Sequence, residues 1–387
     1  MAAINIFVPR VAADRFTGGL LCIFQYANGL AGHGHDVTVI PTWPSEDPRW
    51  IDRKFNMHHL RFDGVGRDRL RYYLSPIRKG KKRALSRLLV RRARRGGYTF
   101  NRASQIEWLR DKKFPSADVS IATHFSTALI THLHGTGRKY YFLQHYEPVF
   151  ASETEYPDLA EIDAYTSYAL PLEIIANSSW LAGKIREAHR RDVPVCPNAI
   201  DARAFFPQRT RFDGPFTVLS YGGRNSQWKG LRDAAEAIRL VRKTIPDLEW
   251  QVFGDALLPP ENDIASYKPL GFITGDALRH AYSNADVVLC PSWYESFPLY
   301  PLEAMACGSA VITTPYGTED YAVHRHNAWV TPPRDTASMA EAVESLYRDP
   351  ALRERLAGQA AADAPAFTWE KSVGRMMELI GVGDSHA

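Results

Sequence analysis

The sequence predicts an α/β protein made of two doubly wound domains, each with a parallel sheet. Three observations carry this. The first forty residues read strand, glycine-bearing loop, helix, strand, which is a βαβ unit. A second series of such units begins near Phe216. Between the two lies residues 197–215, rich in proline and turn formers, which reads as a linker.

The elements follow in order. "INIFVP" (4–9) is a first buried strand, "RVAADRFTGG" (10–19) a loop, and "LLCIFQYANGLAGHG" (20–34) a helix closed by glycines. "HDVTVIP" (35–41) is the next strand. "ADVSIATH" (117–124), "KYYFLQH" (139–145) and "EIIANS" (173–178) are short apolar runs that each end in polar residues. Open parallel sheets bind ligands at the carboxyl ends of their strands. His124, Gln144 and Asn177 are expected there. In the second half, strands are expected over 216–223, 248–255, 286–292, 309–314 and 328–332. Helices are expected over 231–245, 276–285 and 336–364, with a last helix over 368–380.

A chain of 387 residues fits two domains better than one. No apolar run reaches the roughly 18–20 residues of a membrane span. The start "MAAINIFVPR" lacks the basic-then-apolar pattern of a signal peptide. Cys22, Cys196, Cys290 and Cys307 are widely spaced, which argues against a disulfide framework or a zinc site and points to a reducing cytoplasm. The net charge of +4 hides an asymmetry. Residues 67–95 carry thirteen Lys or Arg and one Asp, so the remainder is acidic. Within that segment Leu85, Leu88 and Leu89 share a helical face ringed by Lys81, Lys82, Arg91, Arg94 and Arg95. This pattern suits an anionic membrane surface better than nucleic acid, because stacking residues are few. A solvated charged loop is the alternative.

The chemistry concentrates in "ESFPLYPLEAMACGSAVI" (295–312). Two glutamates eight residues apart sit in an otherwise apolar run, where a carboxylate needs donors. Pro298 or Pro301 suits a helix's first turn and Gly308 its end, so a helix is expected over 298–307. Its N-terminus is an anion site by dipole and free amides. Glu303, acceptor-only when ionised, matches a pair of adjacent sugar hydroxyls. In "YGGRNSQWKG" (221–230), Gly222 and Gly223 permit close backbone approach, and Arg224 and Lys229 place two cations suited to a diphosphate.

These two stretches resemble the signature of retaining glycosyltransferases of the GT-B fold, family four. The likeness covers most of the chain and is densest over 222–312. It implies two Rossmann-like domains facing across a cleft that closes on its substrates. Residues 1–203 would bind the acceptor and 204–368 the nucleotide-sugar donor, with 369–387 crossing back onto the first domain. Carried over, Arg224 and Lys229 hold the donor diphosphate and Glu303 the ribose. Glu295, with the amides of Phe297 and Leu299, contacts sugar and phosphate. "LGFI" (270–273), with Phe272, matches the stretch that holds the base through its backbone. Gly18 and Gly19 match the glycine loop and His124 the histidine beside the donor sugar. Pro298 departs from the family's usual glycine and removes an amide there.

The resemblance further implies retention of anomeric configuration without a protein nucleophile. With no Asp-x-Asp in the chain, no cofactor or catalytic metal is expected. "LQHYEPVF" (143–150), containing Glu147, is similar to a stretch in rhamnosyltransferases that use dTDP-rhamnose. Asn177 and Ser178 match a family feature and also suit a helix cap. The expected function is transfer of a hexosyl residue to a saccharide or lipid-linked acceptor in bacterial surface glycan synthesis. The expected location is the cytoplasm, peripheral to the inner membrane face through 67–95. A nucleotide-sugar epimerase of the same fold and a non-catalytic binding subunit are the rival readings.

Overall fold

The computed structural model describes residues 1–60, 105–106, 109–110, 112–149, 157–211, 213–223, 226–255 and 265–383. The basic segment 67–95 and Arg224 lie outside the described residues. The chain divides into two compact units. The first comprises Met1–Ala176, Lys184–Cys196 and Val373–Ala387; the second comprises Asn177–Gly183 and Pro197–Ser372.

In the first unit, β1 (Ala3–Val8) leads through α1 (Gly18–Gly32) to β2 (Asp36–Pro41) and the two-residue β3 (Asn56–Met57). Then come β4 (Val119–Ala122), α2 (Phe125–His134), β5 (Arg138–Leu143), α3 (Pro157–Ser167) and β6 (Glu173–Ala176), followed by α4 (Ser179–His189), whose residues up to Gly183 are counted with the second unit. The sheet order is β3-β2-β1-β4-β5-β6, and every pairing is parallel. Phe7 and Ile40 pack with Ile130 of α2 on one face. On the other face Ile6, Ile121 and Phe142 meet α1 at Ile23, Tyr26 and Leu30 around a small apolar cavity.

The second unit runs β7 (Thr217–Gly223), α5 (Leu231–Val241), β8 (Glu249–Gly254), β9 (Lys268–Gly271), α6 (Gly275–Asn284) and β10 (Val287–Cys290). It continues through α7 (Leu299–Ala306), β11 (Ala310–Thr313), β12 (Trp329–Val330), α8 (Thr336–Arg348) and α9 (Pro350–Asp363). Its sheet order is β12-β11-β10-β7-β8-β9, again wholly parallel. Counted from its own first strand, this is the same order as in the first unit. Both are doubly wound sheets with a reversal beside the first strand.

The period of two in each strand explains the layers. Val218, Val287, Leu289, Ala310 and Ile312 face a core with Ile238 of α5 and Met339, Val343 and Leu346 of α8. Their neighbours Leu219, Val288, Cys290 and Val311 face the opposite core with Tyr282 of α6 and Leu302 and Met305 of α7. A strand covered on both faces reads as an unbroken apolar run, which is what the sequence shows. The last helix, α10 (Trp369–Ile380), buries Val373, Met376 and Ile380. Val373 packs so closely on Gly29 of α1 that a Cβ at Gly29 would lie 2.3 Å from its Cγ2. A large residue at position 29 would therefore push the two helices apart.

Candidate functional site

In a sheet of this order the strand connections leave in opposite directions on the two sides of the first strand. The crevice so formed, at the carboxyl ends, is where a ligand binds. In the second unit it lies between β7 and β10, and Lys229 and Glu295 meet beyond those two strand ends.

β7 ends at Gly223, whose φ of 68° is favourable only for glycine. A Cβ there would meet Lys229 Cγ at 2.8 Å, so the glycine lets the Lys229 stem fold back over the strand end. A single 3₁₀ turn over Gln227–Lys229 follows, and Gly230 caps it with φ 70°. Gly230 is as constrained, because a Cβ would fall 2.2 Å from the Pro291 carbonyl oxygen beyond β10. The Trp293 amide donates to the Trp228 carbonyl at 2.8 Å and locks the two turns together.

This placement brings Lys229 and Glu295 into one buried pair, Nζ to Oε1 2.5 Å. The Ser292 hydroxyl donates to the same Oε1 at 3.0 Å and also meets the Tyr300 hydroxyl at 2.8 Å. The Lys229 ammonium lies 4.2 Å from the Trp228 ring centroid, with the Tyr221 and Tyr300 rings at 5.6 and 5.8 Å. A cation with so little water is held by the ring faces and the carboxylate together. The Glu295 amide donates to the Tyr316 carbonyl at 3.2 Å. Gly317, at φ 87°, lets that loop approach to where a Cβ would be 2.3 Å from the Glu295 carbonyl oxygen.

α7 begins just after Pro298, its N-cap residue, which gives the first turn no side-chain hydrogen bond. The helix thus starts one residue later than the sequence suggested. Proline at 298 and 301 removes two donors, leaving the Leu299 and Tyr300 amides at the helix start. The Pro298 carbonyl accepts from the Tyr321 hydroxyl at 2.7 Å, which fixes the approach to the helix. Phe297 is buried against Tyr321 and Phe367. Glu303 sits on the second turn of α7, its carboxylate shielded although the residue keeps some contact with solvent. Burial raises this carboxyl to about 7, against the stabilising hydrogen bond from the Tyr282 hydroxyl at 3.1 Å. Phe272 stands 61% exposed between Gly271 and Gly275, both in left-handed backbone.

Asn177 and Ser178 do more than end β6. Ser178 accepts from the Leu181 amide at 3.1 Å and so caps α4. Ser296, next to Glu295, donates to the Asn177 side-chain oxygen and lies 3.5 Å from the Ser178 hydroxyl.

The first-unit residues occupy the corresponding reversal between β1 and β4. Gly18 and Gly19 form the first turn of α1 rather than a loop, because Thr17 caps that helix by accepting from the Leu20 amide at 3.2 Å. Gly19 adjoins Gln144 of the β5 end, 3.4 Å from an ideal Cβ. His124 is the N-cap of α2, accepting from the Ser126 amide at 3.2 Å. Three features escaped the sequence reading: the Lys229–Glu295 pair, the rings around Lys229, and the Tyr282–Glu303 bond. Partners 66 and 21 residues apart leave no local pattern.

Comparison with known proteins places this arrangement. Residues 215–349 match the family described as Glycosyl transferases group 1. Over 274 residues the chain is 28% identical to the O-antigen biosynthesis protein RfbC of Myxococcus xanthus, covering 70% of this chain and 21% of that protein. It is 30% identical over 230 residues to a D-inositol 3-phosphate glycosyltransferase of Arthrobacter, covering 53% and 54% respectively. The chain thus spans about a fifth of the first of these curated relatives and about half of the second. Among solved structures, sucrose-phosphate synthase from Thermosynechococcus elongatus superposes with a TM-score of 0.72 at 17% identity, over 98% of each chain. Anabaena HepE, solved in complex with UDP-glucose, superposes with a TM-score of 0.67 at 15% identity, over 98% of this chain and 100% of its own. The match over the second unit and the two like sheets agree: residues 215–349 are similar to the group 1 glycosyltransferases, and the chain has the GT-B fold.

Proposed function

We propose that this protein transfers a hexosyl residue from a nucleoside-diphosphate sugar to a hydroxyl of a saccharide or lipid-linked acceptor in surface glycan synthesis. One observation carries the reading: Lys229, Glu295, Glu303 and the open start of α7 surround the β7–β10 reversal of the second unit. Cation, helix N-terminus and carboxylate are the complements of a diphosphate and a ribose diol. Relatives named for O-antigen biosynthesis and inositol-phosphate glycosylation support a saccharide-type acceptor.

In this reading the ribose binds Glu303 and the diphosphate lies against Lys229, the α7 amides and Arg224. The acceptor oxygen adds to the anomeric carbon on the face that the diphosphate leaves. The proton of the acceptor hydroxyl passes to the departing phosphate oxygen. Lys229 stabilises the charge growing on that oxygen, an effect that strengthens along the reaction. Configuration is retained, no protein nucleophile takes part, and Lys229 supplies the positive charge without a metal ion. His124 contacts the transferred sugar.

A thermal-shift screen with UDP, GDP, dTDP and ADP tests the donor site. One of the four at a hundred times its dissociation constant stabilises the fold by about 2.7 kcal/mol. A shift with dTDP alone supports a rhamnosyl donor; no shift with any of the four removes the reading.

The basic segment 67–95 extends the proposal to the membrane. No helix among the described residues is long and apolar enough to cross a bilayer. A segment with thirteen cations instead suits adsorption to anionic lipid. The protein is expected to sediment with phosphatidylglycerol vesicles at low salt and to stay in solution with phosphatidylcholine vesicles. Equal behaviour with both vesicle types would contradict surface docking.

A further inference from the structure

A buried acid lies in the first unit, outside the chemistry assigned so far. Glu147 follows β5 and is only 8% exposed. Its Oε1 accepts from the Phe125 amide, the first N–H of α2, at 2.9 Å. Its Oε2 accepts from the Tyr141 hydroxyl and, at 3.4 Å, from the Tyr168 hydroxyl. The Tyr168 oxygen in turn accepts from the Glu147 amide at 3.0 Å. Two tyrosines and a backbone amide thus fix a carboxyl group under the start of α2.

The same turn carries His124. A backbone amide can only donate, so the Ser126 N–H at 3.2 Å fixes Nδ1 of His124 as an acceptor. The ring N–H is therefore at Nε2, and this atom lies 3.8 Å from Glu147 Oε1. That separation is too long for a hydrogen bond. It leaves the Nε2 edge of the ring beside the carboxyl. One side chain caps the second amide of α2 and the other caps the first, so they hold the same helix turn.

We propose that Glu147 is a positioning residue, whose buried carboxyl holds the first turn of α2 and with it the ring orientation of His124. The inference rests on the placement of His124 at the transferred sugar given above. The groups facing Glu147 are Tyr141 from β5, Tyr168 after α3, His124 from the start of α2 and, by charge alone, Asp163 of α3. His189 of α4 packs on the Tyr168 ring, and Arg191 holds the Tyr168 carbonyl at 2.9 Å. Burial raises the Glu147 carboxyl to about 8, partly offset by the Tyr141, Phe125 and Tyr168 hydrogen bonds. It therefore carries its proton through most of the neutral range and presents little charge to His124.

Two measurements test this on the full chain. The first is nitrogen NMR of protein labelled at histidine, with His124→Gln identifying the signal. His124 is expected as the Nε2–H tautomer, with a shift that follows a titration near pH 8 and is flat in Glu147→Gln. Glu147→Gln keeps an acceptor for the Phe125 amide and is expected to fold. A His124 signal identical in wild type and Glu147→Ala would overturn the proposal. The second is a double-mutant cycle on transfer, using the nucleotide sugar whose diphosphate gives the largest thermal shift. Glu147→Ala lowers kcat about ten-fold, leaves nucleoside-diphosphate affinity within two-fold, and adds no further loss to His124→Ala. Additive losses, or an unimpaired Glu147→Ala beside an impaired His124→Ala, defeat the inference alone. An unimpaired His124→Ala defeats the placement of His124 on which it rests.

Discussion

Lys229→Met lowers transfer about a hundred-fold or more and destabilises the protein by about 3 kcal/mol. Both effects come from one geometry. The ammonium is 2.5 Å from Glu295 Oε1, with the two side chains 16% and 9% exposed. Removing the cation leaves Glu295 in that enclosure with, among the described residues, the Ser292 hydroxyl at 3.0 Å as its side-chain donor. An unpaired buried carboxylate is costly, while replacement of both partners is not. Adding Glu295→Gln to Lys229→Met therefore restores most of the melting temperature but none of the transfer. If the single variant keeps wild-type turnover, the cation has no part in stabilising a leaving group. If the double variant melts no higher than the single one, the buried pair is not the source of the loss.

Glu303→Gln separates binding from stability in the opposite sense. The wild-type carboxyl is raised from 4.5 to about 7 in the folded protein. Below pH 4.5 both folded and unfolded chains hold this proton, and the group has no effect on stability. As pH rises toward 7 the unfolded chain ionises freely while the folded chain still holds the proton, so stability falls. Above 7 the penalty is complete, on the order of 3 kcal/mol. Glutamine removes it and keeps an oxygen for the Tyr282 hydroxyl. The variant should melt several degrees higher than wild type at pH 8 and equal to it near pH 4. It should also lose transfer, because an amide cannot accept both hydroxyls of a ribose diol through two oxygens. In wild type, nucleoside-diphosphate affinity should rise with pH through about 7 as the carboxylate forms. Transfer at the wild-type rate by Glu303→Gln, or an affinity flat across this range, would remove Glu303 from the ribose contact.

Much of the fold was legible because parallel strands buried on both faces leave continuous apolar runs. The strand runs over 286–292 and 309–314 and the helix bounded by Pro298 and Gly308 needed no tertiary information. Short edge elements were harder. β3 has two residues, and β9 is a largely exposed Lys-Pro-Leu-Gly with no apolar run to read. Gly18–Gly19 read as a loop because glycine is a poor helix former. The Thr17 cap and the contact with Gln144 outweigh that preference in the structure. His124 lay in view as a strand-end residue, but its capping role did not, since histidine is not among the usual N-cap residues. At the site, the residue types at 229, 295 and 303 were legible. What holds them was not: Ser292, Tyr300, Trp228 and Tyr282 become relevant only when the β7 and β10 ends lie side by side.

The account rests on the donor binding within the second unit, at the β7–β10 reversal. A crystal structure with the nucleoside diphosphate selected by the thermal screen tests this most directly. The account predicts density for the ribose within hydrogen-bond distance of Glu303 and for the diphosphate beside Lys229 and the start of α7. A nucleotide bound elsewhere, with Lys229, Glu295 and Glu303 untouched, would contradict it.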